Sequence, residues 1–423
     1  MTHQLVNTLI IAGFIIGYLG IIFEFVIKLN KTAISIVCAG FLWLIYFISD
    51  LQPLDLELAN LIHHFSDVAQ IIIFLLGAMT LVELVDSHKG FSTVTRLIRT
   101  NSKRWTLVII SFVSFFLSAV LDNLTTAILM ISILRKLVPF RKERVILVCM
   151  VVIAANVGGA WSPIGDVTTT MLWIGGRITT LAVIKSVFFP SVISLLIPLA
   201  IYLFFLQGKF PDPPVADESE NVEPGGQLIF WLGILSFLSV PVIKAVTGLP
   251  PFMGMLIALA IVWLITDILH HKYEERRHLR VPFIFTKIDV SSVLFFLGIL
   301  LCVNALEVVG ILKTIADWFD VHVKNPNLIA ICIGAISAVN GNVPLVGAAM
   351  GMYDLATYGV NHSFWLLLAY AAGVGGSMLS IGSAAGVAAM GIEKIDFFTY
   401  AKIVTVPAGI GYLVGALFYI WLQ

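Results

Sequence analysis

The sequence predicts an all-α polytopic membrane protein made of two inverted repeats, each of five spans plus one re-entrant hairpin, with broken helices at the midplane. Three observations predict it: the composition, the placement of basic residues and an internal repeat. Of 423 residues, 59% are hydrophobic and 12% charged, and the mean hydropathy is +1.01; soluble domains carry about 25% charged residues. Apolar runs of the roughly 20 residues that cross a hydrocarbon core recur along the whole length, so no separate soluble domain is expected. The first run, residues 5–27, lacks a preceding Lys or Arg and a small-residue cleavage site, and reads as a retained span. The formal net charge of zero gives no reason to expect a nucleic-acid partner. Cys38, Cys149, Cys302 and Cys332 lack metal-ligand spacing and read as packing residues.

Lys and Arg near membrane ends mark the cytoplasmic side. Lys28 and Lys31 follow the first span, whereas the expected loop at 50–67 carries acids and histidines without Lys or Arg, which puts the N-terminus outside. A third span, around 74–85, runs inward to a basic segment holding Lys89, Arg96, Arg99, Lys103 and Arg104. The apolar stretch 105–134 is then followed by Arg135, Lys136, Arg141, Lys142 and Arg144, so both its ends want the same side. One helix of that length would reach about 45 Å, longer than the hydrocarbon, and Asp122 and Asn123 lie near its middle. A hairpin over about 105–135 with its tip at Asp122 satisfies both facts; a long tilted helix with a polar kink is the alternative. Non-helical backbone at such depth survives only where protein buries it or it lines a cavity. Residues 145–175 read as a broken helix interrupted at 158–165, and 184–206 return inward. A Pro-, Asp- and Glu-rich stretch, 208–226, reads as a cytoplasmic linker between halves 1–207 and 227–423.

The halves resemble each other in three blocks. Residues 74–77 match 295–298, 118–123 match 337–342, and 154–165 match 371–382, at offsets of 221, 219 and 217. Offsets this constant indicate a duplication. The basic loop 270–280 precedes the span containing Gly298, which therefore runs outward, while the span containing Gly77 runs inward. The repeats are thus expected to be inverted, with a second hairpin at about 328–355 entering from outside and a second broken helix at about 362–391. Ten spans, two hairpins and external termini result, the architecture of secondary transporters.

Four discontinuities are expected to converge: the two hairpin tips and the helix breaks at 158–166 and 375–383. Opened backbone frees carbonyls for a cation, and sodium, a hard ion, prefers oxygen ligands. The candidate cation- and proton-binding residues are Asp122, Asn123, Thr125, Thr126, Asn156, Ser162, Asp166, Thr168, Thr169, Ser337, Asn340, Asn342, Ser377, Ser380 and Ser383. Asp122 and Asp166 are the principal sodium candidates, because ionisable groups inside a membrane mark ion or proton pathways. Sodium and a proton competing for the same carboxylate oxygens would give exchange without covalent chemistry. Helix capping is the competing role for the two aspartates, and bonding to their own helix that for the hydroxyls. Glu83 and Glu307 fall near span ends, and His63, His64, His270 and His271 are expected in loops. No metal triad, nucleophile motif or phosphate loop suggests an enzyme or a cofactor.

The stretches Ser118-Ala119-Val120-Leu121-Asp122-Asn123-Leu124-Thr125-Thr126 and Gly158-Gly159-Ala160-Trp161-Ser162-Pro163-Ile164-Gly165-Asp166-Val167-Thr168-Thr169 resemble the two most distinctive segments of NhaD-type sodium/proton antiporters. These belong to the ion transporter superfamily, which also holds arsenite pumps and dicarboxylate carriers. The resemblance implies a transport domain of hairpins and broken helices and a scaffold that forms a homodimer. It also implies cation exchange at Asp122, Asn123, Asp166 and the neighbouring threonines; the expected cargo is sodium or lithium and protons, with no cofactor. The inner (cytoplasmic) membrane is the expected location. An anion carrier on the same scaffold is the rival reading; Asp122 and Asp166, and the lack of Arg or Lys at the discontinuities, argue against it.

Overall fold

In lipid a backbone amide must find its partner within its own segment, and the chain meets this demand by being helical almost throughout. The computed structural model describes residues 3–49, 52–91, 100–210 and 223–423, apart from the side chains at 25, 26 and 340. Arg96, Arg99 and most of the expected linker lie outside the described residues. The first half runs α1 (His3–Ile22), α2 (Glu24–Ile27), α3 (Lys31–Ser49), α4 (Leu54–Ser87), α5 (Lys103–Ser118), α6 (Asn123–Leu137), α7 (Arg141–Ala160), α8 (Val167–Ile174) and α9 (Thr180–Phe205). The second runs α10 (Gly226–Thr247), α11 (Pro251–His270), a 3-10 turn (Glu274–Leu279), α12 (Val281–Ile284), α13 (Val290–Val308), α14 (Ile311–His322), α15 (Pro326–Asn340), α16 (Asn342–Met352), α17 (Ser363–Gly375), α18 (Ala384–Glu393) and α19 (Phe397–Leu422). Among the described residues nine helices are long and apolar enough to cross a membrane, and there is no strand. The protein is a multi-pass, all-α membrane protein.

Helix α4 departs from expectation. It spans 34 residues, about 51 Å at 1.5 Å per residue, so residues 54–67 are helical instead of forming the expected loop. Pro53 precedes the first turn with φ −55°, and Asp55 and Glu57 sit where the helix dipole favours negative charge. His63 and His64 consequently lie on α4 and not in a loop.

His270 also departs from its expected loop position: it ends α11 and is buried. Its Nε2 lies 3.0 Å from Nε2 of buried His88, whose Nδ1 donates to the Leu84 carbonyl at 2.7 Å. His270 is therefore the donor in the pair. The charged and titratable groups around the two rings are His278, Arg276, Arg280 and Glu223. Burial pushes His88 down from its ordinary 6.5 to about 4, so the fold favours the neutral ring.

Glycines set how closely the interrupted helices approach. A Cβ on Gly158 would lie 2.2 Å from the Phe115 carbonyl oxygen of α5, and one on Gly375 2.1 Å from the Gly334 carbonyl of α15. Helices α7 and α17 thus lie directly against α5 and α15, as small residues permit between membrane helices. The second halves cross over: α18 packs on α6, and α8 on α16. Cys38 fills a similar contact, its sulfur only 2.4 Å from where a Cβ on Gly17 would be. Cys38, Cys149 and Cys302 are buried as expected of packing residues, but Cys332 is exposed on α15, a position that an apolar run alone does not distinguish from a packed one.

Two outcomes test this packing. Gly158→Ala and Gly375→Ala should abolish recovery of monodisperse protein, since overpacking costs about 1–3 kcal/mol even where side chains can yield and here backbone must move. Gly40→Ala, with nothing within 4 Å of the added methyl, should leave recovery unchanged. For the histidine pair, a depressed pKa contributes stability that is complete above pH 6.5 and lost as pH falls toward 4. His88→Gln should remove that loss, about 3 kcal/mol, from a pH series of thermal melts.

Candidate functional site

Helix interruptions create the site by leaving caps to be filled. Asp122 is the N-cap of α6: its Oδ1 accepts from the Thr125 amide at 2.7 Å and its Oδ2 from the Thr125 hydroxyl at 2.8 Å. Asp166 is the N-cap of α8, but its bonds are longer, 3.4 Å from the Thr168 amide and 3.5 and 3.4 Å from the Asn342 side-chain amide to its two oxygens. The capping role weighed against the functional one is therefore real for both. It occupies Asp122 with short bonds and leaves Asp166 loosely held, at the limit of hydrogen-bond geometry.

Asp166 is 1% exposed and lines a cavity of about 130 Å³ together with Asn123, Gly341, Asn342 and Ser383. Space for its carboxylate comes from Gly373, where a Cβ would stand 3.0 Å from Oδ2. A second cavity, about 680 Å³, shares Glu24, Lys31 and Ser292 with the first and extends along Glu83, Asp86, Lys287 and Asp289. The two cavities together carry Glu24, Glu83, Asp86, Asp166 and Asp289 beside Lys31 and Lys287, among mainly apolar side chains.

An amide chain joins three of the interrupted regions, and the fourth is reached through the Asn342–Asp166 contact. Asn123 donates to Asn156 Oδ1 at 3.0 Å, and the Asn156 amide donates to the Ser377 and Ser383 hydroxyls at 3.1 and 2.8 Å. Ser383 caps α18, and the Ser377 carbonyl accepts from Tyr400. Other candidates are engaged with backbone: Thr169 with Ala160, Ser337 with Gly334 and Ala372, and Ser162 with the Ile164 amide. Thr125 belongs to the Asp122 cap and lines the larger cavity. Thr168 gives its amide to Asp166. Among the described residues the hydroxyls of Thr126, Thr168 and Ser380 are buried without a hydrogen-bond partner, as are those of Thr106, Ser114 and Ser191 elsewhere in the bundle. The Asn340 side chain lies outside the described residues.

Sequence reasoning missed the residues supplied by neighbouring helices. Tyr18, Glu24 and Lys31 line the Asp166 cavity, yet none belongs to a repeat block. Lys31 stands 5.2 Å over the Phe295 ring, and its backbone amide donates to Glu24. Its position at the start of a span was a signal for membrane topology, not for proximity to the site.

A polytopic helical membrane protein with polar groups gathered at interrupted helices is a transporter of small solutes in its general class. Comparison with known proteins narrows this. The CitMHS family, described as citrate transporters, matches residues 18–361. "Sodium/proton antiporter 2" of Arabidopsis thaliana is 46% identical over 96% of this chain and 97% of its own length, and "Sodium/proton antiporter 1" 49% identical over 96% and 70%. "Na(+)/H(+) antiporter NhaD" of Alkalimonas amylolytica is 32% identical over the full chain and 92% of its own length. The chain belongs to the NhaD-type sodium/proton antiporter family, a family of transporters and not of enzymes.

Replacing Asn156 by Ala would strand the Asn123 amide in a buried place, at a cost of about 1–3 kcal/mol. The expected result is a melting temperature lowered by several degrees together with lost transport, checked by thermal unfolding of purified protein beside vesicle assays.

Proposed function

We propose that the protein exchanges sodium for protons across the inner membrane, with Asp166 as the principal ion ligand. The observation that carries this reading is the Asp166 carboxylate: buried, weakly hydrogen-bonded and open to a cavity that a small cation with a few waters would fill. Burying an uncompensated carboxylate is costly, and either a proton or a sodium ion relieves that cost. Binding of one therefore displaces the other. Asn342, Ser383 and Thr168 are assigned as further oxygen donors, and Asp122 as a second carboxylate that holds the tip of α6 and adds negative potential. The kinship to cation antiporters at 46–49% identity supports exchange of cations, and no cofactor is required beyond the transported ions. An anion carrier is not favoured: the side chains at the four interruptions are carboxylates, amides and hydroxyls, and the nearest basic group, Lys31, approaches from α3.

The two halves are read as inverted repeats. Supporting this, Ser118 donates to Ala155 as Ser337 donates to Ala372, and the tips Asp122 and Gly341 both have positive φ. On this reading α5–α6 and α15–α16 are hairpins entering from opposite sides, and the basic end of α7 is cytoplasmic. A homodimer held by the scaffold helices is proposed on kinship alone.

Asp166→Asn should abolish sodium-dependent proton movement in everted vesicles, and Asp122→Asn should reduce it at least as far as loss of the second charge dictates. Sodium or lithium, but not citrate, should dequench a pH dye. With one proton competing, each unit fall in pH should raise the half-saturating sodium concentration by up to about tenfold. A half-saturation that ignores pH would refute competition at a shared site. A cysteine at Arg141 should label from the cytoplasmic side only, and labelling from outside would overturn the topology.

A further inference from the structure

We infer that the basic end of α7 carries a binding site for an anionic phospholipid, separate from the ion site. A groove of about 770 Å³ runs between α7, α9 and α19. Its rim holds four cations: Arg141 and Lys142 at the start of α7, Lys394 in the turn after α18, and Lys402 on the first turns of α19. Its walls, on the adjoining turns of α7, α9 and α19, are apolar, including Ile146, Ile201, Phe205 and Val406. Phe205 and Val406 are 74% and 65% exposed, as side chains facing acyl chains should be.

The rim is constructed, and among the described residues its charge is not cancelled. Lys394 occupies the left-handed region, φ 53°, and its carbonyl accepts from Arg141 Nη2 at 3.1 Å, which fixes the α18–α19 turn to α7. The neighbouring acid is drawn away from the groove: Glu393, buried, pairs with Arg144 at 2.6 Å. Asp396, the one carboxylate of the lining, caps α19 through the Thr399 amide at 2.9 Å. Among the described residues no carboxylate pairs with Arg141, Lys142, Lys394 or Lys402. The first turn of α7 also has no side-chain cap, so its free amides add to the field that attracts an anion.

Cations on the rim and apolar walls on the adjoining turns match a phospholipid with an anionic headgroup, as basic pockets between membrane helices do elsewhere. A free phosphate would use the rim and leave the walls without a function. The occupant is therefore assigned as an anionic diacyl lipid, phosphatidylglycerol being the simplest probe. Lipid in this groove would join α7, which carries the first helix interruption, to α9 and α19.

The test uses the full-length purified protein in neutral detergent, with phosphatidylglycerol, phosphatidylcholine of the same acyl chains, or inorganic phosphate added. Phosphatidylglycerol should raise the melting temperature and remain bound in native mass spectra, while phosphatidylcholine and phosphate should do neither. Lys142→Gln combined with Lys402→Gln should weaken phosphatidylglycerol binding by about thirtyfold without changing the response to phosphatidylcholine. Should that pair fail to fold, Lys394→Gln alone should weaken binding by about fivefold. Equal binding of the two lipids, retained discrimination in the variants, or stabilisation by phosphate alone would each overturn the assignment. None of these readouts depends on transport, so a failed ion assignment leaves the lipid test intact.

Discussion

Every interruption of a helix in this protein creates backbone groups that lipid cannot satisfy, and the fold is arranged around supplying them with partners. Asp122, Asp166 and Ser383 serve the starts of α6, α8 and α18 as caps. The interrupted segments reach one another only because glycine lets backbone meet backbone at Gly158, Gly165, Gly375 and Gly382. The polar side chains a membrane protein needs for this purpose are the same kinds that bind a cation. On the proposed reading, structure and ion chemistry draw on one small set of atoms, and the distinction between them lies in which oxygens remain underused.

That distinction separates the two aspartates. Asp122 spends both oxygens on Thr125 at short range, whereas Asp166 accepts only long bonds. The amide chain from Asn123 through Asn156 to Ser377 and Ser383 links residues of both halves. Movement of one half against the other would break or re-form it. Around this centre, α1 and α3 pack against each other through Gly13, Gly17 and Gly20 and bring Tyr18, Glu24 and Lys31 to the cavity mouth.

Much of this was legible in the chain. Hydropathy and basic residues locate the spans because lipid imposes length and charge rules that hold for any membrane helix, and Gly, Pro and Asp together mark where a span comes undone. Asp122, Asn123, Asn156, Asp166, Asn342, Ser377 and Ser383 could be picked out on that ground, and hydrogen bonds join most of them. Sequence could not say that Ser337 and Thr169 are committed to backbone, since a hydroxyl's partner depends on the rotation of helices about their axes. Nor could it find Lys31 or Gly373, which matter through what lies opposite them. The extension of α4 through residues 54–67 is not legible in the sequence because a stretch mixing leucines with acids and histidines has the same hydropathy as helix or as loop. The pairing of His88 with His270 joins positions 182 apart, beyond any local signal.

The backbone at Asp122 has φ 150° and ψ 166°, a region that glycine occupies freely and other residues enter at a cost of about 1–3 kcal/mol. The corresponding tip in the second half has Gly341, with φ 77°. Geometry alone would place glycine at both. Keeping an aspartate at the first tip means tolerating that conformation, and the same carboxylate offsets part of the cost by capping α6 through Thr125. A chain with glycine at both tips would have an easier backbone there but an uncapped α6, so strain and cap are set against each other in a single residue.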